Sequence, residues 1–245
     1  MKLIKLFFLV ISCSFLMTGC DNQSKEQNLI VATSADNPPY EFIQNGQIVG
    51  FDIDIINAIG EQIGKKVIIK NFDFNGLLAS LTTENVDIVI AGLSVTEERK
   101  KHISFSVPYI STNVSILYRS ADNLKNTGDL DNKAVGVQLG TTWAVIVQDL
   151  AKQFNIRINY LSNNLMLVEE LKSKVIDAVV LEASQSKKFI ENNPDLASFS
   201  LTEFSSELAI AMPKNSKLIE NVNRAIAELT EDGTISRITK KWLQQ

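Results

Sequence analysis

The spacing of hydrophobic residues beyond position 28 predicts short buried strands that alternate with amphipathic helices. Residues 29–33 form an apolar run followed by turn-forming residues, which is typical of a buried strand. A hairpin is predicted around Asn45-Gly46, because this pair favours a tight turn. Four isoleucines then recur on one helical face: Ile55, Ile56, Ile59 and Ile63. We expect Asp52 to cap that helix and Gly64 to end it.

The alternation of strand and helix occurs in two series along the chain. Strands are predicted at residues 67–70, 86–91, 133–138, 157–161, 177–181 and 208–212. Helices are predicted at residues 77–81, 142–154, 165–174 and 217–229, with a last helix that ends at Leu243. Two β–α–β series indicate an α/β protein with largely parallel sheets in two lobes. In such sheets ligands bind at the carboxyl ends of the strands, so we expect a ligand cleft between the lobes.

The beginning of the chain has the pattern of a secretion signal. Lys2 and Lys5 precede an apolar run at residues 6–17, which is shorter than the about 20 residues of a membrane-spanning helix. The run leads to Gly19-Cys20, and a small residue before a cysteine is typical of lipoprotein cleavage. We therefore expect a signal peptide at residues 1–19, a lipid on Cys20 and a flexible tether at 20–28. An ordinary signal with an incidental cysteine is the alternative.

Composition and charge exclude several classes of function. The formal net charge is −4 and no basic stripe occurs, so we expect no nucleic-acid partner. The only cysteines are Cys13 and Cys20, and the only histidine is His102. Disulfides, a cysteine nucleophile, a histidine-based metal site and a Ser-His-Asp triad are therefore not expected. We predict neither a cofactor nor catalytic residues.

Two polar loops that follow predicted strands combine groups suited to an anion. The first contains Gly92, Ser94 and Arg99, where glycine permits close approach of the backbone and arginine offers a planar fork for a carboxylate. Taken alone, residues 97–101 also fit a solvent-exposed charge run. The second loop, 140–142, precedes a helix whose first amides can hold an anion. A plain helix cap is the alternative there.

A third polar position is Glu182, an acid at the end of an apolar strand. A surface-exposed acid is the ordinary interpretation of such a residue. An anion site on one side of a cleft and a carboxylate on the other would, however, suit a zwitterion.

Several segments together resemble the polar amino-acid-binding proteins of ABC importers, members of bacterial extracellular solute-binding protein family 3. The matching segments are GFDID at 50–54, DF at 73–74, GLSVTEERK at 92–100, ISFS at 103–106, PY at 108–109, VGVQLGT at 135–141 and DGT at 232–234. The resemblance extends from about residue 29 to 243. It implies a type II periplasmic-binding fold, with lobe 1 at 29–117 plus 208–245 and lobe 2 at 118–207. Hinge strands are expected near Tyr118 and Glu207.

The resemblance also implies how the backbone groups of an amino acid would be bound. Arg99 and the amide of Thr142 would bind the α-carboxylate. The carbonyl of Gly92, the hydroxyl of Ser94 and the carboxylate of Glu182 would bind the α-ammonium group. Aspartate is usual where Glu182 stands, so the side chain here is one methylene longer.

The ligand's side chain would meet a second group of residues. Phe74 would pack on its aliphatic part from one side only, because Asn37 stands where a second aromatic residue is usual. Ser34 and Gln138 occupy positions that carry charged residues in several members. Because neither brings a formal charge, a neutral, glutamine-like side chain is favoured over arginine or lysine. Asp36, if it turned into the pocket, would restore a preference for a basic side chain.

By this resemblance we expect a monomeric, lipid-anchored extracytoplasmic receptor that captures a polar L-amino acid for an ABC permease. Two alternatives remain open. The same fold hosts dehydratases of small carboxylates, in which Glu182 would act as a general acid. A sensor without a transport role would bind its ligand with identical chemistry.

Overall fold

A computed structural model describes residues 28–83 and 86–244 of the chain. The predicted signal peptide, Cys20 and the predicted tether up to residue 27 lie outside these residues. Within the two described ranges no helix is both long and apolar enough to cross a membrane.

The first lobe contains a five-stranded sheet covered by helices. Its strands are β1 (Asn28–Thr33), β5 (Lys66–Asn71), β6 (Ile88–Val89), β7 (Ile103–Phe105) and β13 (Ala211–Pro213), in the order β5-β1-β6-β13-β7. Its helices are α1 (Phe51–Gln62), α2 (Leu77–Thr83), α3 (Glu97–His102), α7 (Ile219–Glu231) and α8 (Thr234–Leu243). Strand β1 pairs in parallel with β5 and β6, as the β–α–β pattern predicts. The isoleucine face of α1 packs into the core beside Leu29 and Val31.

A small antiparallel sheet follows β1. It comprises β2 (Asp36–Asn37), β3 (Glu41–Gln44) and β4 (Gln47–Val49). The turn between β3 and β4 has positive φ angles at Asn45 and Gly46, which confirms the predicted hairpin.

The second lobe contains another five-stranded sheet. Its strands are β8 (Ile110–Arg119), β9 (Ala134–Gln138), β10 (Arg157–Leu161), β11 (Ala178–Glu182) and β12 (Leu196–Leu208), in the order β10-β9-β11-β8-β12. Its helices are α4 (Thr142–Leu150), α5 (Asn164–Lys172) and α6 (Ala183–Asn192). Strand β9 pairs in parallel with β10 and β11, whereas β8 and β12 run antiparallel to their neighbours. Two apolar clusters line the two faces of this sheet.

The long strands β8 and β12 connect the two lobes. They pair with each other along their whole length, with a shift of register between Leu201 and Ser205. From Val114 to Tyr118, β8 also pairs with β11 and is therefore part of the second sheet. Residues 110–113 of β8 precede this pairing and lead from the first lobe into the second sheet. Hydrophobic periodicity does not mark this passage, because β8 is one uninterrupted strand across the change of lobe.

The predicted capping role of Asp52 is wrong. Gly50 precedes α1 with φ 138°, and no side chain caps the helix. A Cβ atom at position 50 would lie 2.1 Å from the carbonyl oxygen of Tyr40, so only glycine fits. Asp52 is instead fully buried in the first turn, where it accepts hydrogen bonds from the Gly92 amide at 2.7 Å and the Tyr109 hydroxyl at 3.0 Å.

Other elements differ from the predicted ones in extent. The predicted strand at 86–91 is reduced to Ile88–Val89, and the run at 208–212 is divided between β12 and β13. The predicted helix at 142–154 ends at Leu150. The charged residues 97–101 lie in the short helix α3, and α6 was not predicted at all.

Candidate ligand-binding site

The loops at the carboxyl ends of β1, β6, β9 and β11 meet in a cleft between the lobes. Its walls enclose ≈ 380 Å³ that is partly open to solvent. Eight of the nine predicted contact residues line it: Asn37, Phe74, Gly92, Ser94, Arg99, Gln138, Thr142 and Glu182. Because hydrogen bonds join the two lobes across this cleft, an amino acid can enter only after the lobes or side chains move apart.

Arg99 bridges the two lobes at one end of the cleft. Its guanidinium group donates to the carbonyl oxygens of Ser94 at 2.7 Å and Gly140 at 2.9 Å, and Gly140 belongs to the second lobe. Burial lowers the pKa of Arg99 to about 10, so the group remains a cation at neutral pH. The adjacent Lys100 is 49% exposed and pairs with Glu97 on the surface. Arg99 therefore differs from the rest of the charge run.

The start of α4 faces Arg99 from the second lobe. Thr141 caps this helix by accepting a hydrogen bond from the Ala144 amide at 3.3 Å. The hydroxyl of Thr142 lies 3.2 Å from that of Ser94 across the cleft. First-turn amides have no acceptor within their own helix, and the helix dipole favours an anion there. This end of the cleft thus combines a cation with a helix amino terminus.

Glu182 lies in the same cleft at the end of β11. Its carboxylate is 4% exposed, accepts from the Thr112 hydroxyl and caps α6 through the Gln185 amide at 3.0 Å. Burial raises the pKa of Glu182, and the surrounding hydrogen bonds oppose that rise. Burial also raises the pKa of the neighbouring Tyr40, with the charge of Glu182 as the next cause. A carboxylate in this position would be stabilised by a bound cation.

A polar cluster on β2, β9 and α5 lies at the other part of the cleft, where Gln138 and Asn164 belong to the wall and Asp36 lies behind them. Asp36 accepts hydrogen bonds from the Ser34 hydroxyl at 3.0 Å, the Gln138 side-chain amide at 2.8 Å and the Asn164 backbone amide at 2.8 Å. The last two donors belong to the second lobe. Burial raises the pKa of Asp36 to about 6. Ser34, the ninth predicted contact residue, donates to Asp36, and neither of these two residues is part of the cleft wall.

Comparison with known proteins identifies the family. The family model for bacterial extracellular solute-binding proteins, family 3, matches residues 29–245. The chain belongs to this family. The family places the protein outside the cytoplasmic membrane, and its members bind small solutes and deliver them to ABC permeases.

Relatives that bind amino acids support the same assignment. The arginine-binding extracellular protein ArtP of Bacillus subtilis is 32% identical over 97% of this chain and 96% of its own. An ancestral arginine-binding protein bound to glutamine is 38% identical, with a TM-score of 0.84 over 89% of this chain and 99% of its own. The ancestral amino-acid-binding protein AncCDT-1, a precursor of cyclohexadienyl dehydratase, is 31% identical, with a TM-score of 0.83 over 89% and 96%. The predicted type II fold is thereby confirmed.

The aromatic wall of this solute-binding protein is larger than predicted. Tyr40 and Trp143 line the cleft together with Phe74, so three aromatic side chains contribute to the wall within the described residues, where only Phe74 was predicted. Trp143 directly follows the 140–142 loop, and this position next to a predicted binding loop could have indicated that it lines the cleft. The side-chain NH₂ group of Asn37 donates to the Glu41 carboxyl group at 2.9 Å and is therefore engaged behind the cleft wall.

Two further polar residues at or next to the cleft were not predicted. Thr112, which donates to Glu182, lies on a strand without any motif. Asn164 begins α5, and its side chain donates to Gln138 at 3.0 Å. Its Oδ1 atom is buried and has no hydrogen-bond partner among the described residues. Across residues 28–83 and 86–244, no group of three histidine, cysteine, aspartate or glutamate side chains could hold a metal.

Proposed function

We propose that this solute-binding protein is a lipid-anchored receptor that captures a polar L-amino acid for an ABC importer, with arginine as its preferred ligand. The observation that carries the proposal is the presence of Arg99 and Glu182 in one cleft, on opposite lobes. A free amino acid has one anion and one cation at its α-carbon. Opposite charges fixed in one cleft match that arrangement and little else.

The α-carboxylate would bind between Arg99 and the first turn of α4. Arg99 now donates to two carbonyl oxygens, which are weaker acceptors than a carboxylate. An incoming carboxylate would replace the Gly140 carbonyl and accept from the Thr142 amide as well. The α-ammonium group would lie between the Gly92 carbonyl, Ser94 and Glu182. Because Glu182 is buried, a cation beside it would lower the pKa that burial raises.

The polar cluster around Asp36 favours a side chain that only donates hydrogen bonds. Asn164 lies in the cleft wall, and its buried Oδ1 atom has no donor among the described residues, while the buried carboxylate of Asp36 lies directly behind Gln138 and Asn164. A guanidinium group has five donors and no acceptor, so it suits an acceptor in the cleft wall with a carboxylate behind it. This placement of Asp36 moves our preference from the glutamine-like side chain to arginine. Glutamine is the second candidate, because the amide of Gln138 could rotate to complement it.

Lipid anchoring rests on the sequence around Cys20, outside the described residues. We expect a Cys20→Ser variant to move from the membrane fraction to the soluble fraction, because the lipid attachment atom is lost. Membrane association that survives this substitution in correctly processed protein would contradict the anchor.

A dehydratase is the alternative function that one observation favours. The raised pKa of the buried Glu182 is a property of general acids, and AncCDT-1 is similar over most of the chain. However, Glu182 accepts hydrogen bonds from Thr112 and Gln185, which stabilise its ionised form. Incubation with prephenate or arogenate distinguishes the two functions, since a binding protein yields no product.

Titration calorimetry with each of the common L-amino acids tests the proposal. We expect arginine to bind most tightly, glutamine less tightly and apolar amino acids not at all. Mass spectrometry of small molecules released by denaturing the purified protein gives an independent answer. Absence of binding by every amino acid would refute the proposed function, whereas a tighter affinity for glutamine would refute only the assignment of arginine.

A further inference from the structure

Two fully buried carboxyl groups lie directly behind the wall of the cleft. Glu41 on β3 and Asp52 on α1 are both 0% exposed, and the backbone amide of Asp52 donates at 2.9 Å to the carbonyl of Tyr40, the residue before Glu41. Each also contacts a residue that lines the cleft. Asn37 donates to Glu41 Oε1 at 2.9 Å, and the Gly92 amide donates to Asp52 Oδ2 at 2.7 Å.

The two carboxyl groups differ in the donors that surround them. Asp52 accepts a hydrogen bond from the Gly92 amide, and the Tyr109 hydroxyl lies 3.0 Å from both of its carboxylate oxygens. Among the described residues, Glu41 accepts a hydrogen bond only from Asn37, and its Oε2 atom is buried without a donor. Donors stabilise an ionised carboxylate, so Asp52 is the better place for the charge. A proton on Oε2 of Glu41 would give that atom its partner in Asp52.

We propose that Glu41 and Asp52 share one proton and act as positioning residues that hold Asn37 and Gly92 in the cleft wall. This inference rests on the proposed ligand site. The Gly92 carbonyl is the group assigned to the ligand's α-ammonium group. The hydrogen bond from the Gly92 backbone amide to Asp52 fixes the orientation of this residue, so that its carbonyl faces the cleft. A Cβ atom at Gly92 would lie only 2.9 Å from the Asn37 side-chain nitrogen, which shows how closely the two residues are packed.

The electrostatic surroundings agree with one proton and one charge. Burial raises the pKa of Glu41 well above its ordinary value, and the charge of Asp52 is the next cause. Burial raises the pKa of Asp52 to about 6. The other ionisable groups that face the pair are Asp36 on β2 and the hydroxyls of Tyr40 and Tyr109. In the proposed arrangement Glu41 holds the shared proton at pH 7 and Asp52 holds the charge.

The sign of the pH dependence follows from the raised pKa of Glu41. In the unfolded chain this group ionises above about pH 4, whereas in the folded protein it keeps its proton to a higher pH. The stability that it contributes is complete below the unfolded pKa and is lost as the pH rises through the folded pKa. A glutamine at position 41 does not titrate, so it removes this loss.

The first test compares wild type with Glu41→Gln without any ligand. The difference infrared spectrum at pH 7 should show that the variant lacks one protonated carboxyl band. Thermal unfolding between pH 5 and about pH 9 should show a shallower loss of stability in the variant. An unchanged infrared spectrum, or an identical pH profile, would overturn the shared proton. Both measurements remain decisive even if no amino acid binds the protein.

The second test measures binding of L-arginine and L-glutamine. Glu41→Ala should weaken both by about tenfold or more, as expected for the loss of a buried hydrogen-bond partner. Glu41→Gln should recover most of that loss, because its carbonyl accepts from Asn37 and its amide donates to Asp52. Equal weakening by Glu41→Ala and Glu41→Gln would overturn the positioning role.

Asp54→Asn is the matched control on the same helix. Asp54 accepts from Lys241 at 2.7 Å and from the Trp242 indole at 2.6 Å, away from the cleft. Its substitution should lower thermal stability without changing the carboxyl band or the pH profile. A pH profile altered as much by Asp54→Asn as by Glu41→Gln would overturn the assignment of that profile to Glu41.

Discussion

Replacement of Arg99 by alanine should weaken binding of every amino-acid ligand severely. Arg99 is the cation assigned to the α-carboxylate, and its guanidinium group already reaches acceptors on both lobes. Removal of one partner from a buried ion pair costs about 3–5 kcal/mol. Each 1.4 kcal/mol is a factor of ten in affinity, so Kd should rise by roughly two to four decades. Arginine and glutamine share the α-carboxylate, so the loss should be similar for both.

Lys100→Ala is the matched control, because it removes the adjacent cation of the same helix. Lys100 pairs with Glu97 at 2.8 Å on the surface, and such pairs contribute about 0–1 kcal/mol. Its substitution should leave Kd unchanged. Arg99→Lys should fall between the two, since an ammonium group keeps the charge but loses the planar fork.

Titration calorimetry with L-arginine and L-glutamine, supported by thermal unfolding to verify folding, measures these effects. If Arg99→Ala bound both ligands as tightly as Lys100→Ala, Arg99 would be part of a solvated charge run. The assignment of the carboxylate site would then be refuted.

Three further predictions follow from other parts of the structure. As the pH falls through about 6, Asp36 gains a proton, so the affinity for arginine should fall relative to the affinity for glutamine. In titration calorimetry Asp36→Asn should abolish this pH dependence. A ratio of the two affinities that does not change with pH in the wild type would contradict the prediction. In solution the ligand-free lobes should separate and a bound ligand should close them again, so ligand should reduce the radius of gyration in X-ray scattering; an unchanged radius at saturation would argue against this closure. Gly50→Ala should lower the melting temperature by circular dichroism, because its Cβ would lie 2.1 Å from the Tyr40 carbonyl oxygen at a φ of +138°; Gly76→Ala, with nothing within 4 Å, is the control and should change little.

The chemical identity of the cleft could be predicted from local sequence to a large extent. Gly92, Ser94 and Arg99 follow one strand within a single short segment, and Thr142 begins a helix directly after another. Strand ends and helix starts are local features, because hydrophobic spacing decides which face of each element is buried. Parallel strands then bring their carboxyl ends together, which accounts for most of the predicted cleft residues.

The polar network behind the cleft depended on tertiary structure. Asp36 accepts from Asn164, 128 residues away, and the Gly92 amide donates to Asp52 across 40 residues. Asp52 has the local pattern of a helix cap, yet the packing of α1 against the loop after β6 buries it and gives it different donors.

The spacing of hydrophobic residues along the chain therefore predicted the alternating α/β elements, and specific short segments of the sequence predicted the family. Only the tertiary structure decided the course of β8 and β12 between lobes, the cap that Glu182 forms on α6, and the burial of Glu41 and Asp52 behind the cleft. Periodicity reports which side of an element faces a core. It carries no information on which distant donor or strand will lie there, since those partners are set by how the lobes pack.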